Sequence, residues 1–122
     1  MSAHILVVDD DPAMRRLLQT TLTLEGHEVT LARSADEAWK QLRKVDAELI
    51  ILDLMMPGMP PQEFVSKVRA EVTATPILVL SGHHAGLEIG LLIGADDAME
   101  KPFDPEELLE RISKLLADRV SS

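Results

Sequence analysis

The chain has no cysteine, which excludes disulfides and thiolate metal sites and is compatible with a reducing compartment. Positive charge is scarce: 12 lysines and arginines stand against 21 acids, a net charge of −9. That balance argues against direct binding to nucleic acid or to an anionic membrane. It fits an acidic pocket that takes a metal, or basic partners, and solubility alone would also explain it. No signal-peptide pattern is present, and no apolar run is long enough to span a bilayer. Met1-Ser2-Ala3-His4 runs straight into a strand-like segment, so a cytoplasmic protein is expected. A glycine-rich phosphate loop is missing, which removes a nucleotide-binding reading. There is no internal repeat, linker or low-complexity stretch. With 122 residues, 46% of them apolar, residues 1–122 read as a single globular domain able to build a core.

What is present is strict alternation of strand and helix signals. Residues 4–9, HILVVD, form a first strand. Asp11 caps a helix that has Pro12 at its first position and runs to about Glu25, where Gly26 ends it. Met14, Leu17, Leu18 and Leu22 give that helix an apolar stripe. Residues 27–32 make a more polar strand suited to a sheet edge. Ser34 and Glu37 have the spacing of a capping box, ahead of a helix with Ala35, Ala38, Trp39, Leu42 and Val45 on one side. Leu49 to Leu52 are uniformly apolar, as in a central strand covered on both faces, and they lead into Asp53. A helix over about 61–71 turns Phe64, Val65 and Val68 inward. Residues 76–81 form the fourth strand and 97–100 the fifth. Between them, His84 to Ile93 is apolar but holds Gly86 and Gly90, each costing a helix about 1 kcal/mol relative to alanine. Asp104 starts the last helix, which runs to about Asp118. Phe103 and Leu108 have the spacing of a hydrophobic staple, and Leu109, Ile112, Leu115 and Leu116 continue its stripe. Five βα units with short loops predict an α/β fold with a parallel five-stranded sheet, right-handed crossovers and three layers.

Parallel strands end on one side of the sheet, and ligands of open α/β sheets bind at that edge. Asp9, Asp10 and Asp11 end the first strand, Asp53 the third, Ser81 the fourth and Lys101 the fifth. Singly, each has an ordinary reading: a run of aspartates is commonly a solvated turn, and an aspartate before Pro-Gly a turn residue. Jointly they form a chemical set. Repulsion between Asp10 and Asp53 calls for a cation between them, and a hard divalent ion with oxygen ligands, Mg²⁺ first, answers it. A carboxylate nucleophile, a divalent ion and a lysine are the requirements for phosphoryl transfer to an aspartate. Asp53 is therefore the candidate phosphoacceptor.

The stretches ILVVDDDPAMRRLL, LIILDLMMPGM, PILVLSG and GADDAMEKPF resemble the receiver domain of bacterial two-component response regulators, across essentially the whole chain. The resemblance implies a flavodoxin-like (βα)5 sandwich with strand order 2-1-3-4-5. It implies Asp53 as phosphoacceptor, Asp10 as a direct Mg²⁺ ligand, Asp9 assisting through water, and the Met55 backbone carbonyl as a further ligand. Lys101 is expected to contact the phosphoryl group, with a cis bond to Pro102. Ser81 takes the switch position, whose hydroxyl moves to the phosphoryl oxygen and shifts an inactive–active equilibrium. The implied partners are a sensor histidine kinase or phosphotransfer protein and a downstream effector protein or domain. The implied activity is self-phosphorylation and autodephosphorylation only, not turnover of a metabolite. A monomer or weak dimer is expected.

Three departures from the family pattern stand out. Ala98 occupies the position where a tyrosine or phenylalanine usually rotates with the switch. The segment from Ser81 to Lys101 is shorter than usual and glycine-rich. Met59-Pro60-Pro61 replaces an acidic-glycine pair. All three bear on readout rather than on phosphoryl transfer. His83 and His84 read as loop surface residues, with His83 near where the family tunes dephosphorylation. Two other functions compete: a pseudo-receiver that only binds proteins, kept open by Ala98, and an aspartyl phosphatase of the dehalogenase-like class. The latter needs an acid two residues after the nucleophile, where this chain has Met55.

Overall fold

The structure, a computed structural model, describes residues 2–54, 58–71, 75–82 and 85–121. Strands and helices alternate: β1 His4–Val8, α1 Pro12–Leu24, β2 Glu28–Ala32, α2 Ala35–Leu42, β3 Leu49–Asp53, α3 Pro61–Glu71, β4 Ile77–Ser81, α4 Ala85–Leu92, β5 Asp97–Glu100 and α5 Pro105–Ser121. All strand pairs are parallel and the sheet order is β2-β1-β3-β4-β5. The fold is the flavodoxin-like sandwich, and the order reverses between β1 and β3.

Alternation along each strand splits the core into two layers. Leu6, Val8, Ile50, Leu52, Ile77 and Val79 face α2 and α3. Ile5, Val7, Ile51, Leu78, Leu80 and Met99 face α1 and α5. β3 and β4 are buried along their whole length, as their unbroken apolar runs require, and β2 is half exposed at the edge.

Local chemistry sets the element ends. The Asp11 carboxylate accepts the Ala13 N–H at 3.0 Å, ahead of Pro12. At the other end of α1, Gly26 has φ +90°. Its N–H donates to Thr23 C=O, and His27 N–H donates to Leu22 C=O at 3.1 Å. This double closure occupies His27, so β2 starts one residue later than the sequence predicts.

Other expectations shift for comparable reasons. The apolar pattern puts Leu17 on the buried stripe of α1, but it is 47% exposed, because Leu18 and Leu22 already meet the sheet. The helix α2 stops before Val45. Glu37 N–H does donate to Ser34 Oγ, yet the Glu37 carboxylate accepts from the N–H of Arg33 rather than Ser34. The helix α5 extends three residues past Asp118. Helix α4 forms despite its glycines, and Gly90 has a reason: a Cβ there would lie 3.1 Å from Val79 Cγ1. The glycine lets the helix sit close on β4.

At the sheet edge opposite the candidate site, Arg69 ties α3 to the start of β4 and β5. Its guanidinium donates to Thr75 C=O, Gly94 C=O and the Asp96 carboxylate, which also accepts the Ile77 N–H.

Candidate phosphoacceptor site

The C-terminal ends of β1, β3, β4 and β5 bring the acids, the serine and the lysine to one edge. Asp9 follows β1 and is 1% exposed; Asp53 ends β3 and is 5% exposed. Asp10, on the outer side, faces solvent. One carboxylate oxygen from each of Asp9, Asp10 and Asp53 falls within 4.8 Å of the others.

Lys101 reaches into this cluster from the end of β5. Its Nζ donates to Asp9 Oδ2 at 2.9 Å and lies 3.5 Å from Asp53 Oδ1. Burial alone pushes the ammonium below its ordinary value. The hydrogen bond to Asp9, and then the negative charges of Asp53 and Asp9, outweigh burial and hold it above that value. The lysine is therefore a fixed cation at neutral pH. Its backbone N–H donates to Ser81 C=O at 2.7 Å, and the Lys101–Pro102 bond is cis, as the resemblance implies. Ser81 is buried as the last residue of β4, one position beyond Leu80, which pairs with Asp53 in the sheet register.

Asp9 is the hub of the site. Its Oδ1 accepts the Asp11 N–H at 2.9 Å while Oδ2 accepts from Lys101. Its backbone carbonyl accepts from Arg15 Nη1 at 2.8 Å. The sequence carries no signal for this role, because nothing distinguishes an arginine in the first turns of a helix from a surface residue. The Met55 carbonyl, His83 and His84 lie outside the described residues, so those expectations have no geometry here.

The acids fit a hard divalent ion. Mg²⁺ holds oxygens at about 2.0–2.1 Å, so its ligands stand at most about 4.2 Å apart. A set within 4.8 Å needs only a slight contraction. Asp9, Asp10 and Asp53 together are thus a set of carboxylates that could hold such an ion.

Comparison with known proteins agrees with this geometry. The family model described as response regulator receiver domain matches residues 5–113. The chain belongs to that family. Among curated relatives, protein PetR of Rhodobacter capsulatus is 44% identical over 115 residues, covering 93% of the receiver and 48% of PetR. The probable transcriptional regulator ycf27 of Pyropia yezoensis is 41% identical over 122 residues, covering 97% of the receiver and 50% of ycf27. The receiver thus spans about half the length of the curated relatives it matches. Solved structures are similar too. A response regulator from Chloroflexus aurantiacus superposes with a TM-score of 0.90 at 33% identity, covering 96% of the receiver and 99% of that chain. A CheY-like receiver domain from Methanospirillum hungatei gives 0.91 at 28% identity, covering 99% and 98%. Among the described residues, no helix of the receiver is long and apolar enough to cross a membrane.

Proposed function

We propose that this receiver is a phosphorylation-activated signalling switch. Asp53 accepts a phosphoryl group from a sensor histidine kinase or phosphotransfer protein in a Mg²⁺-dependent step. The observation that carries the reading is the convergence of Asp9, Asp10 and Asp53 within 4.8 Å, with the Lys101 ammonium between Asp9 and Asp53.

In this reading an Asp53 oxygen attacks phosphorus in line as the bond from phosphorus to the donor nitrogen breaks. Bound Mg²⁺ supplies neutralisation of the phosphoryl charge. Asp10 would hold the ion directly and Asp9 through water, with the Met55 carbonyl as a further ligand. Lys101 already faces the Asp53 carboxylate, so it meets the incoming phosphoryl oxygens after little movement. The Ser81 hydroxyl donates to a phosphoryl oxygen and so favours one of two arrangements of the adjoining face. The receiver catalyses its own phosphorylation and hydrolysis and no other turnover. Its sequence acts as one receiver domain, a cytoplasmic monomer or weak dimer. The relatives named as transcriptional regulators are about twice as long, which supports an effector protein or domain as the readout partner. The net charge of −9 supports a receiver that does not itself contact nucleic acid.

Incubation with Mg²⁺ and acetyl phosphate, read by intact mass, tests this. One phosphoryl adduct is expected on the native chain and none on Asp53→Asn or with chelator present. Absence of an adduct together with absence of Mg²⁺ binding would refute the switch and leave a protein-binding pseudo-receiver.

A further inference from the structure

On the face formed by α2 and α3, the charge of the chain reverses. Trp39 of α2 is half-buried and packs against the core layer on that side of the sheet. Two cations reach its ring from different helices. The guanidinium carbon of Arg43, which caps α2, lies 5.9 Å from the ring centre, and Lys67 Nζ of α3 lies 5.6 Å from it. Both distances are within cation–π range. Lys40 and Lys44, exposed one helical turn apart beside Arg43, extend the patch.

Helix electrostatics account for only part of this grouping. Cations at the C-terminal end of α2 suit its dipole, which explains Lys40, Arg43 and Lys44 but not Lys67, a residue within α3. Glu63 and Glu71 flank Lys67 at the spacing of helical ion pairs, yet it pairs with neither. Among the described residues Lys40, Arg43 and Lys44 form no ion pair either. By contrast, Arg33, Arg69, Lys101 and Arg111 are all held by carboxylates. Lys40 and Lys44 repel each other at their spacing. The ring therefore gathers cations from two helices that no carboxylate of the chain neutralises. They amount to a third of the 12 lysines and arginines, in a chain of net charge −9.

We propose that this face binds a short acidic segment of a protein partner, a run of aspartate and glutamate whose carboxylates take Lys40, Arg43, Lys44 and Lys67. Charge complementarity selects the occupant. A nucleic acid or an anionic membrane carries negative charge well beyond so small a patch and would meet the acidic remainder of the chain. A second copy carries acids too, but brings its own net charge of −9. A peptide segment can confine its charge to the patch. The proposal goes beyond the phosphoacceptor reading and is tested on the unphosphorylated chain without Mg²⁺, so each can fail without the other.

Trp39 is the only tryptophan, so its emission reports on the patch. The test is a titration at low salt with hexaglutamate, capped at both ends. The emission is expected to change saturably, and added salt should weaken binding. Capped hexaglutamine should produce no change. Arg43→Gln and Lys67→Gln should each weaken binding about threefold, the effect of one exposed ion pair. Lys40→Gln should do the same while leaving both ring contacts in place. Lys114→Gln, at an exposed position of α5 across the sheet, should leave binding unchanged. Absence of an emission change, equal binding of hexaglutamine, or an equal loss in Lys114→Gln would overturn the proposal. Tighter binding of hexathymidylate or of phosphatidylserine vesicles than of hexaglutamate would overturn it in favour of a nucleic acid or a membrane. An emission change that follows protein concentration without peptide would overturn it in favour of a second copy.

Discussion

Replacing Lys101 with methionine keeps the stem and removes the ammonium. Asp9 and Asp53 would then face each other with side chains only 2% and 6% exposed and without the Lys101 ammonium between them. Breaking a buried pair by deleting one partner costs about 3–5 kcal/mol. Asp10 leaves one side of the cluster open to water, which places the cost near about 3 kcal/mol. That is a large share of the roughly 5–15 kcal/mol that holds a domain folded. Urea unfolding followed by circular dichroism, in chelator, measures it. With a slope of about 2 kcal/mol per molar, the midpoint should fall by about 1.5 M with the slope unchanged. Adding Asp53→Asn removes one of the two buried charges, so the double variant should recover about 1 kcal/mol or more relative to the sum of the singles. Mg²⁺ should recover part of the loss in Lys101→Met by supplying another cation. A loss below about 1 kcal/mol, or additive singles, would refute the claim that this ammonium neutralises the buried carboxylates.

Two further perturbations test packing and titration. His27 Nδ1 accepts the Ala3 N–H at 3.1 Å, and burial, then the positive N-terminus, hold its pKa below the ordinary 6.5. The unfolded chain thus takes the proton first, so this contribution to stability is complete above about pH 6.5 and is lost as pH falls through the folded value; His27→Gln should flatten that slope in urea unfolding at a series of pH values. Gly90→Ala gains about 1 kcal/mol of helix propensity but places a Cβ 3.1–3.4 Å from three atoms of buried Val79. Overpacking costs about 1–3 kcal/mol, so a net loss of about 1 kcal/mol is expected in the native background. In Val79→Ala the same change should become stabilising, and a penalty of equal size in both would show that Val79 is not the obstacle.

Features that depend on one segment were legible. The apolar run of β3 announced a strand buried on both faces, Phe64, Val65 and Val68 marked the inner side of α3, and Asp11-Pro12 marked the start of α1. The site was legible because a parallel sheet collects strand ends, so acids, a serine and a lysine far apart in sequence could be assigned to one edge. Features that depend on how side chains compete were hidden. Neighbouring Leu17 and Leu18 look equivalent in a pattern, and only the contact with the sheet selects Leu18. The sequence places Lys101 near Asp53, but its shorter bond goes to Asp9, whose second oxygen is already held by the Asp11 N–H. Arg15 and Arg69 act on backbone carbonyls, which leave no trace in residue type. Gly90 read as a weakness of α4, because a close approach to β4 is a property of two elements.

The outer edge of β5 limits how anything can attach there. The Ala98 N–H donates to the Asp97 carboxylate at 2.8 Å and its C=O accepts from Arg111, so an incoming strand would have to displace both before pairing. Proteins that extend a neighbour's sheet gain affinity from main-chain bonds that are largely indifferent to sequence. An edge closed in this way withholds those bonds, so recognition at this end of the sheet has to be carried by side chains, and with it the discrimination of one partner from another.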